Sequence, residues 1–122
     1  MTEELLQRSV IQWMQIALHP NVIYFHPANG EWRSIITAKR LKGMGVLPGC
    51  SDVVVLYLGR ALCLEIKLPD GRQSESQRVF EAKCGYQGVP YIICRSLDDA
   101  IEACRKFGVP MRDNTELARS AA

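Results

Sequence analysis

The sequence predicts an α/β domain, a central mixed β-sheet flanked by helices, with elements in the order α-β-α-β-β-α-β-α. Three observations predict it. Apolar residues recur at helical spacing near the start of the chain. Two long apolar runs meet at a glycine-containing dipeptide, the mark of a hairpin. Helices separate the other strands, so parallel pairing must stand beside the antiparallel hairpin.

The elements follow in order. Thr2 caps a helix to Leu18, with Glu3 and Glu4 where its dipole favours acids, and Leu6, Val10, Trp13, Met14 and Ala17 forming one apolar stripe. His19-Pro20 ends it. Val22 to His26 is a short strand, and "PANGEW" (27–32) a turn built on Asn29-Gly30. A second helix spans Ile35 to Met44 and stops at Gly45. The loop "LPGCSD" leads into strands over Asp52 to Leu58 and Ala61 to Leu68, joined by a Gly59-Arg60 turn. Ser74 and Gln77 form a capping box for a third helix, ending near Cys84 at Gly85. Pro90 to Arg95 is a strand. Ser96 caps a helix over Leu97 to Phe107, closed by Gly108 and Pro110.

Composition narrows the function classes. The chain has 122 residues, 48% of them apolar and 23% charged, which suits one globular domain. Residues 1–110 are the expected domain and 111–122 a polar, flexible tail. The net charge is only +2, yet Arg33, Lys39, Arg40 and Lys42 lie in one stretch without an acid. That stretch is either a solvated helix face or a phosphate footprint. Five cysteines, an odd number without zinc spacing, suit reduced core thiols in a cytoplasmic protein. Neither a signal peptide nor a membrane-spanning run is expected.

The hairpin carries the chemistry. With Gly59-Arg60 as its two-residue turn, paired residues sum to 119, so Asp52 faces Lys67 and lies diagonal to Glu65. All three charges then share one face at the end away from the turn, and the other face (Val53, Val55, Tyr57, Leu62, Leu64, Ile66) is apolar. One reading is a salt bridge from Lys67 to either acid. The other is a metal site. Two converging carboxylates repel unless a proton or cation lies between them, and a hard divalent ion uses one or two carboxylates while keeping waters for a phosphate substrate. A neighbouring lysine can orient or deprotonate a water and steady charge on phosphorus.

"GCSD…LEIK", Asp52-x12-Glu65-x-Lys67, resembles the PD-(D/E)XK nuclease superfamily and, within it, the VRR-NUC family. The matching stretches are "HPANGEWRS", "TAKRLKGMGVLPGCSDVVVL", "LEIKLPDGRQSESQ" and "GVPYIICRSLDDAIEACRKFGV", nearly the whole chain apart from the tail. The family's usual proline before the aspartate is Ser51 here. The resemblance implies a restriction-endonuclease-like core and a Mg²⁺- or Mn²⁺-dependent DNA endonuclease. It implies Asp52, Glu65 and the Ile66 carbonyl as metal ligands, Lys67 as the catalytic lysine and Gln77 as a supporting group. It also implies a first-helix acid at the metal, Glu3 in an E-x-x-x-Q arrangement with Gln7, with Glu4 as the alternative. Small stand-alone members resemble homodimers acting on branched DNA such as four-way junctions, in a phage or bacterial intracellular setting. A non-catalytic DNA-binding or assembly module on the same fold is the alternative. Under the nuclease reading Arg33, Lys39, Arg40, Lys42, Arg72 and Arg78 are expected phosphate contacts. His26 is either a hydrogen-bonded edge residue or a neighbour of the site. Trp13 belongs to the apolar stripe, and Trp32 either stacks on bases or does not.

Overall fold

In a computed structural model, which describes residues 1–28 and 34–112, the chain folds in the expected order. The helices are α1 (Glu3–Ala17), α2 (Ile35–Gly43), α3 (Glu75–Gln87) and α4 (Leu97–Phe107); the strands are β1 (Ile23–Phe25), β2 (Val53–Tyr57), β3 (Arg60–Ile66) and β4 (Tyr91–Cys94). Trp32, Arg33 and the Asn29-Gly30 turn lie outside the described residues. The sheet runs β1-β2-β3-β4, antiparallel at the first two junctions and parallel at β3–β4. It is therefore mixed, as the hairpin and the helical crossover required.

One face of the sheet is the core. Val53, Val55, Leu62, Leu64, Ile66 and Cys94 meet Leu6, Val10 and Met14 of α1 and Ala100, Ala103, Cys104 and Phe107 of α4. Each Val, Leu, Ile, Met or Phe among these contributes about 1.5–3 kcal/mol of transfer free energy, and the alanines less. Trp13 packs against this cluster, in line with its place on the stripe. The expected caps form: Thr2, Ser74 and Ser96 each accept a first-turn N–H, and Ser34 does the same for α2. The cysteines are free thiols. Burial pushes Cys94 up to about 12 and Cys104 to about 11, so both stay neutral core groups.

The second face is divided. α3 covers its β3–β4 end, where Phe80 meets Tyr91 with ring centroids 6.0 Å apart. At the β1–β2 end Ile23, Phe25 and Leu56 remain exposed. No described element packs against α2, and none of its residues is buried.

Two expectations are corrected. The third helix passes through Gly85 and ends at Gly88, whose left-handed conformation lets its N–H reach the Cys84 and Gly85 carbonyls. The hairpin turn is Leu58-Gly59, because Tyr57 pairs with Arg60 and paired residues sum to 117. Both turn residues have positive φ, 51° and 72°, the pattern of a type I′ turn whose twist matches the strands. A leucine there costs about 1–2 kcal/mol. The register it permits offsets that cost. Arg60 enters β3, donates to the Phe107 carbonyl at 2.9 Å and lies 4.3 Å over the Phe107 ring. A shift of two also leaves every side chain on its expected face, since strand side chains alternate with period two.

Candidate active site

The corrected register brings the two carboxylates closer than expected. Continued one residue beyond β2, it sets Asp52 opposite Glu65. Directly opposed residues have Cβ atoms about 4.5–5.5 Å apart, against about 7–8 Å for the diagonal relation. Asp52 Oδ2 accepts the Ile66 N–H at 2.7 Å, so the side chain continues the ladder where the β2 backbone leaves it. In an antiparallel ladder a residue's N–H and C=O point to the same side, so the Ile66 carbonyl also faces Asp52.

Glu65 is 1% exposed, and both of its oxygens are held. Gln77 Nε2 donates to Oε1 at 3.0 Å, and the Tyr91 hydroxyl donates to Oε2 at 3.2 Å. Burial, followed by the hydrogen bond and charge of Asp52, pushes the Glu65 carboxyl up to about 9. A proton therefore occupies the pair at neutral pH unless a cation replaces it. This donor set, two opposed carboxylates with one raised in proton affinity, fits a hard divalent ion that completes its shell with water. Among the described residues no group of three His, Cys, Asp or Glu side chains stands close enough to hold a metal.

Lys67 is 8% exposed. A Cβ added at Gly71 would lie 3.5 Å from its Cδ, so the loop after β3 packs on its stem. Among the described residues Lys67 forms no ion pair, which removes the salt-bridge reading. Among the described residues no buried side-chain nitrogen or oxygen lacks a partner, so the Lys67 ammonium reaches solvent. Arg95 fixes the loop that cradles it: Nη1 donates to the carbonyls of Leu68 at 2.7 Å, Gly71 at 2.9 Å and Pro69 at 3.3 Å.

Gln77 has two duties. Its Oε1 accepts the Ser74 N–H at 2.8 Å, closing the capping box, while Nε2 holds Glu65. The α3 N-terminus is set against the Asp52 loop by Gly49, at φ 79°. A Cβ there would collide with the Ser76 backbone.

Glu3 and Glu4 face Asp52 across a groove of about 570 Å³ between α1 and the end of β1. Glu4 is engaged by Arg8 at 3.4 Å, an exposed pair, whereas Glu3 makes no ion pair among the described residues. The expected phosphate contacts do not line this groove. Lys39, Arg40 and Lys42 are exposed on α2, Arg72 is exposed, and Arg78 donates to the Gln73 carbonyl at 2.9 Å. Arg33 lies outside the described residues.

One contact was not legible in the sequence as part of the site. Tyr91 reads as an ordinary strand residue. It reaches Glu65 because β4 pairs in parallel with Cys63 opposite Tyr91, and the hydrogen bond from Gln73 Nε2 at 3.1 Å orients its hydroxyl. Burial pushes its phenol above the usual range, so it remains a donor. His26, expected as either a hydrogen-bonded edge residue or a neighbour of the site, bonds to the backbone of Asp52: its Nδ1 donates to the Asp52 carbonyl at 2.6 Å, tying β1 to the entry of β2. Its sequence signal is its place at the end of the strand beside Asp52.

No family model matches the sequence, and no curated protein matches it. A solved structure described as a "VRR_NUC domain protein" is similar in fold, with a TM-score of 0.70 over 88% of each chain at 20% identity. The chain thus has the fold of a VRR-NUC domain, the mixed sheet and flanking helices included.

Proposed function

We propose that this protein is a metal-dependent DNA endonuclease that hydrolyses phosphodiester bonds. The observation that carries the reading is Asp52 opposed to buried Glu65 with Lys67 on the same face, its ammonium open to solvent. Asp52, Glu65 and the Ile66 carbonyl would hold Mg²⁺ or Mn²⁺, and Glu3, which lines the same groove as Asp52, is the first-helix acid proposed to join them. The bound ion supplies an activated water and neutralises charge on the phosphate. The Lys67 ammonium would orient the attacking water and steady the negative charge that builds on phosphorus. Gln77 and Tyr91 keep Glu65 aimed, and Arg95 keeps the Lys67 loop in place. Lys39, Arg40, Lys42, Arg72 and Arg78 contact phosphates outside the groove, and Arg33 is a further proposed phosphate contact.

The substrate is branched DNA and the working form a homodimer. The uncovered apolar side chains of Ile23, Phe25 and Leu56 supply surface for that association. The deciding experiment is a cleavage screen over linear, flapped and four-way DNA with Mg²⁺ and with Mn²⁺, using Lys67→Ala as control. Cleavage by the parent and none by the variant is the expected result. Binding without cleavage by either would instead identify a non-catalytic DNA-binding module.

A further inference from the structure

We infer that the groove between α1 and His26 is a receptor for an unpaired nucleotide next to the scissile phosphate, an inference that rests on the nuclease reading above. Asp52 lies in both the groove and the metal site, so whatever fills the groove is contiguous with the reacting phosphate. At about 570 Å³ the groove has the size of a small-ligand pocket, about 300–1,000 Å³. It is far too small to admit a duplex.

Its chemistry excludes a phosphate track. Glu3, Glu4 and Asp52 stand against the single cation Arg8, so a run of phosphates laid along the groove would be repelled. The remaining polar lining is amide: Gln7, Gln12 and Gln15 project from α1 over eight residues, about 12 Å. No other described side chain bonds these amides, so their donors and acceptors are free for a ligand. A glutamine presents the paired donor and acceptor that match a base edge, adenine best of all. Opposite them, the Nδ1 bond to the Asp52 carbonyl fixes the His26 ring, which also lines the groove. The phosphate thus stays at the carboxylates and Lys67, and the base and sugar enter the groove. The substrate class that supplies such a base is DNA with an unpaired nucleotide at the cut.

The test uses the full chain carrying Lys67→Ala, which holds DNA without cutting it. Two labelled duplexes, identical except for one unpaired nucleotide, are titrated by fluorescence anisotropy. The expected result is tighter binding to the duplex with the unpaired nucleotide. Adding Gln12→Ala and Gln15→Ala should cut that preference on the order of tenfold. The melting temperature should stay put, because both amides are exposed. An equal affinity for the two duplexes, or a preference unmoved by the double variant, overturns the inference while leaving the nuclease reading intact. Failure of the Lys67→Ala chain to bind either DNA, with neither DNA cut by the parent, overturns both.

Discussion

One amide joins the fold to the chemistry: Gln77 accepts the Ser74 N–H that starts α3 and donates to Glu65 Oε1 at 3.0 Å. Gln77→Ala removes both bonds. We expect a loss of about 1 kcal/mol from the cap, read as a lower melting temperature, together with weaker Mn²⁺ binding in calorimetry. Gln77→Glu retains the cap acceptor but sets a carboxylate against Glu65. Its helix should therefore survive while ion affinity and cleavage fall.

The Lys67 ammonium has no ion-pair partner among the described residues, so its removal strands no charge. Lys67→Ala should cost at least about 100-fold in cleavage, the scale of losing a transition-state electrostatic or acid–base group. Circular dichroism should show an intact fold. A variant that still cuts at the parental rate would remove Lys67 from the chemistry.

Glu65 makes the metal-free protein sensitive to pH. Its carboxyl is raised from 4.5 to about 9, so the folded state holds a proton that the unfolded state releases. The resulting stabilisation is complete below about pH 4.5 and is lost as pH rises through about 9. Without divalent ions the melting temperature should accordingly drop from mild acid to pH 9, and Mg²⁺ should restore it. The ion competes with that proton, so its affinity should rise over the same interval. Glu65→Gln should flatten the pH profile and abolish the rescue by Mg²⁺.

Leu58 sits at φ 51° in a turn that favours glycine or asparagine. Leu58→Gly should raise stability by about 1 kcal/mol, measured by urea unfolding. Arg60→Ala should lower it, since the contacts to Phe107 are what the turn secures.

These cases show what a single sequence discloses. The caps at Thr2, Ser74 and Ser96 are local, and each formed. The shared face of Asp52, Glu65 and Lys67 was legible despite a mistaken turn, because an error of two residues preserves strand parity. The closeness of Asp52 to Glu65 was not, for it depends on Arg60 finding Phe107, a partner 47 residues away. Tyr91 was illegible for a related reason. Its register against β3 is parallel, set by tertiary packing through a helical crossover and by no short turn. Gly85 resembled a helix stop, but the chain continued to Gly88, and nothing local to Gly85 distinguishes the two.

Gly49 has a consequence for how this sequence can vary. Its alpha carbon lies against the Ser76 backbone, with no room for a methyl group. Neighbouring glycines 43 and 45 have open space around them. In a saturation mutagenesis library selected for folding, positions 43 and 49 should therefore behave oppositely, the first permissive and the second admitting no replacement. Position 49 is the seam where the loop bearing Asp52 and the helix bearing Gln77 are pressed together. Substitutions that retune the proposed site can be made on either side of that seam but not within it.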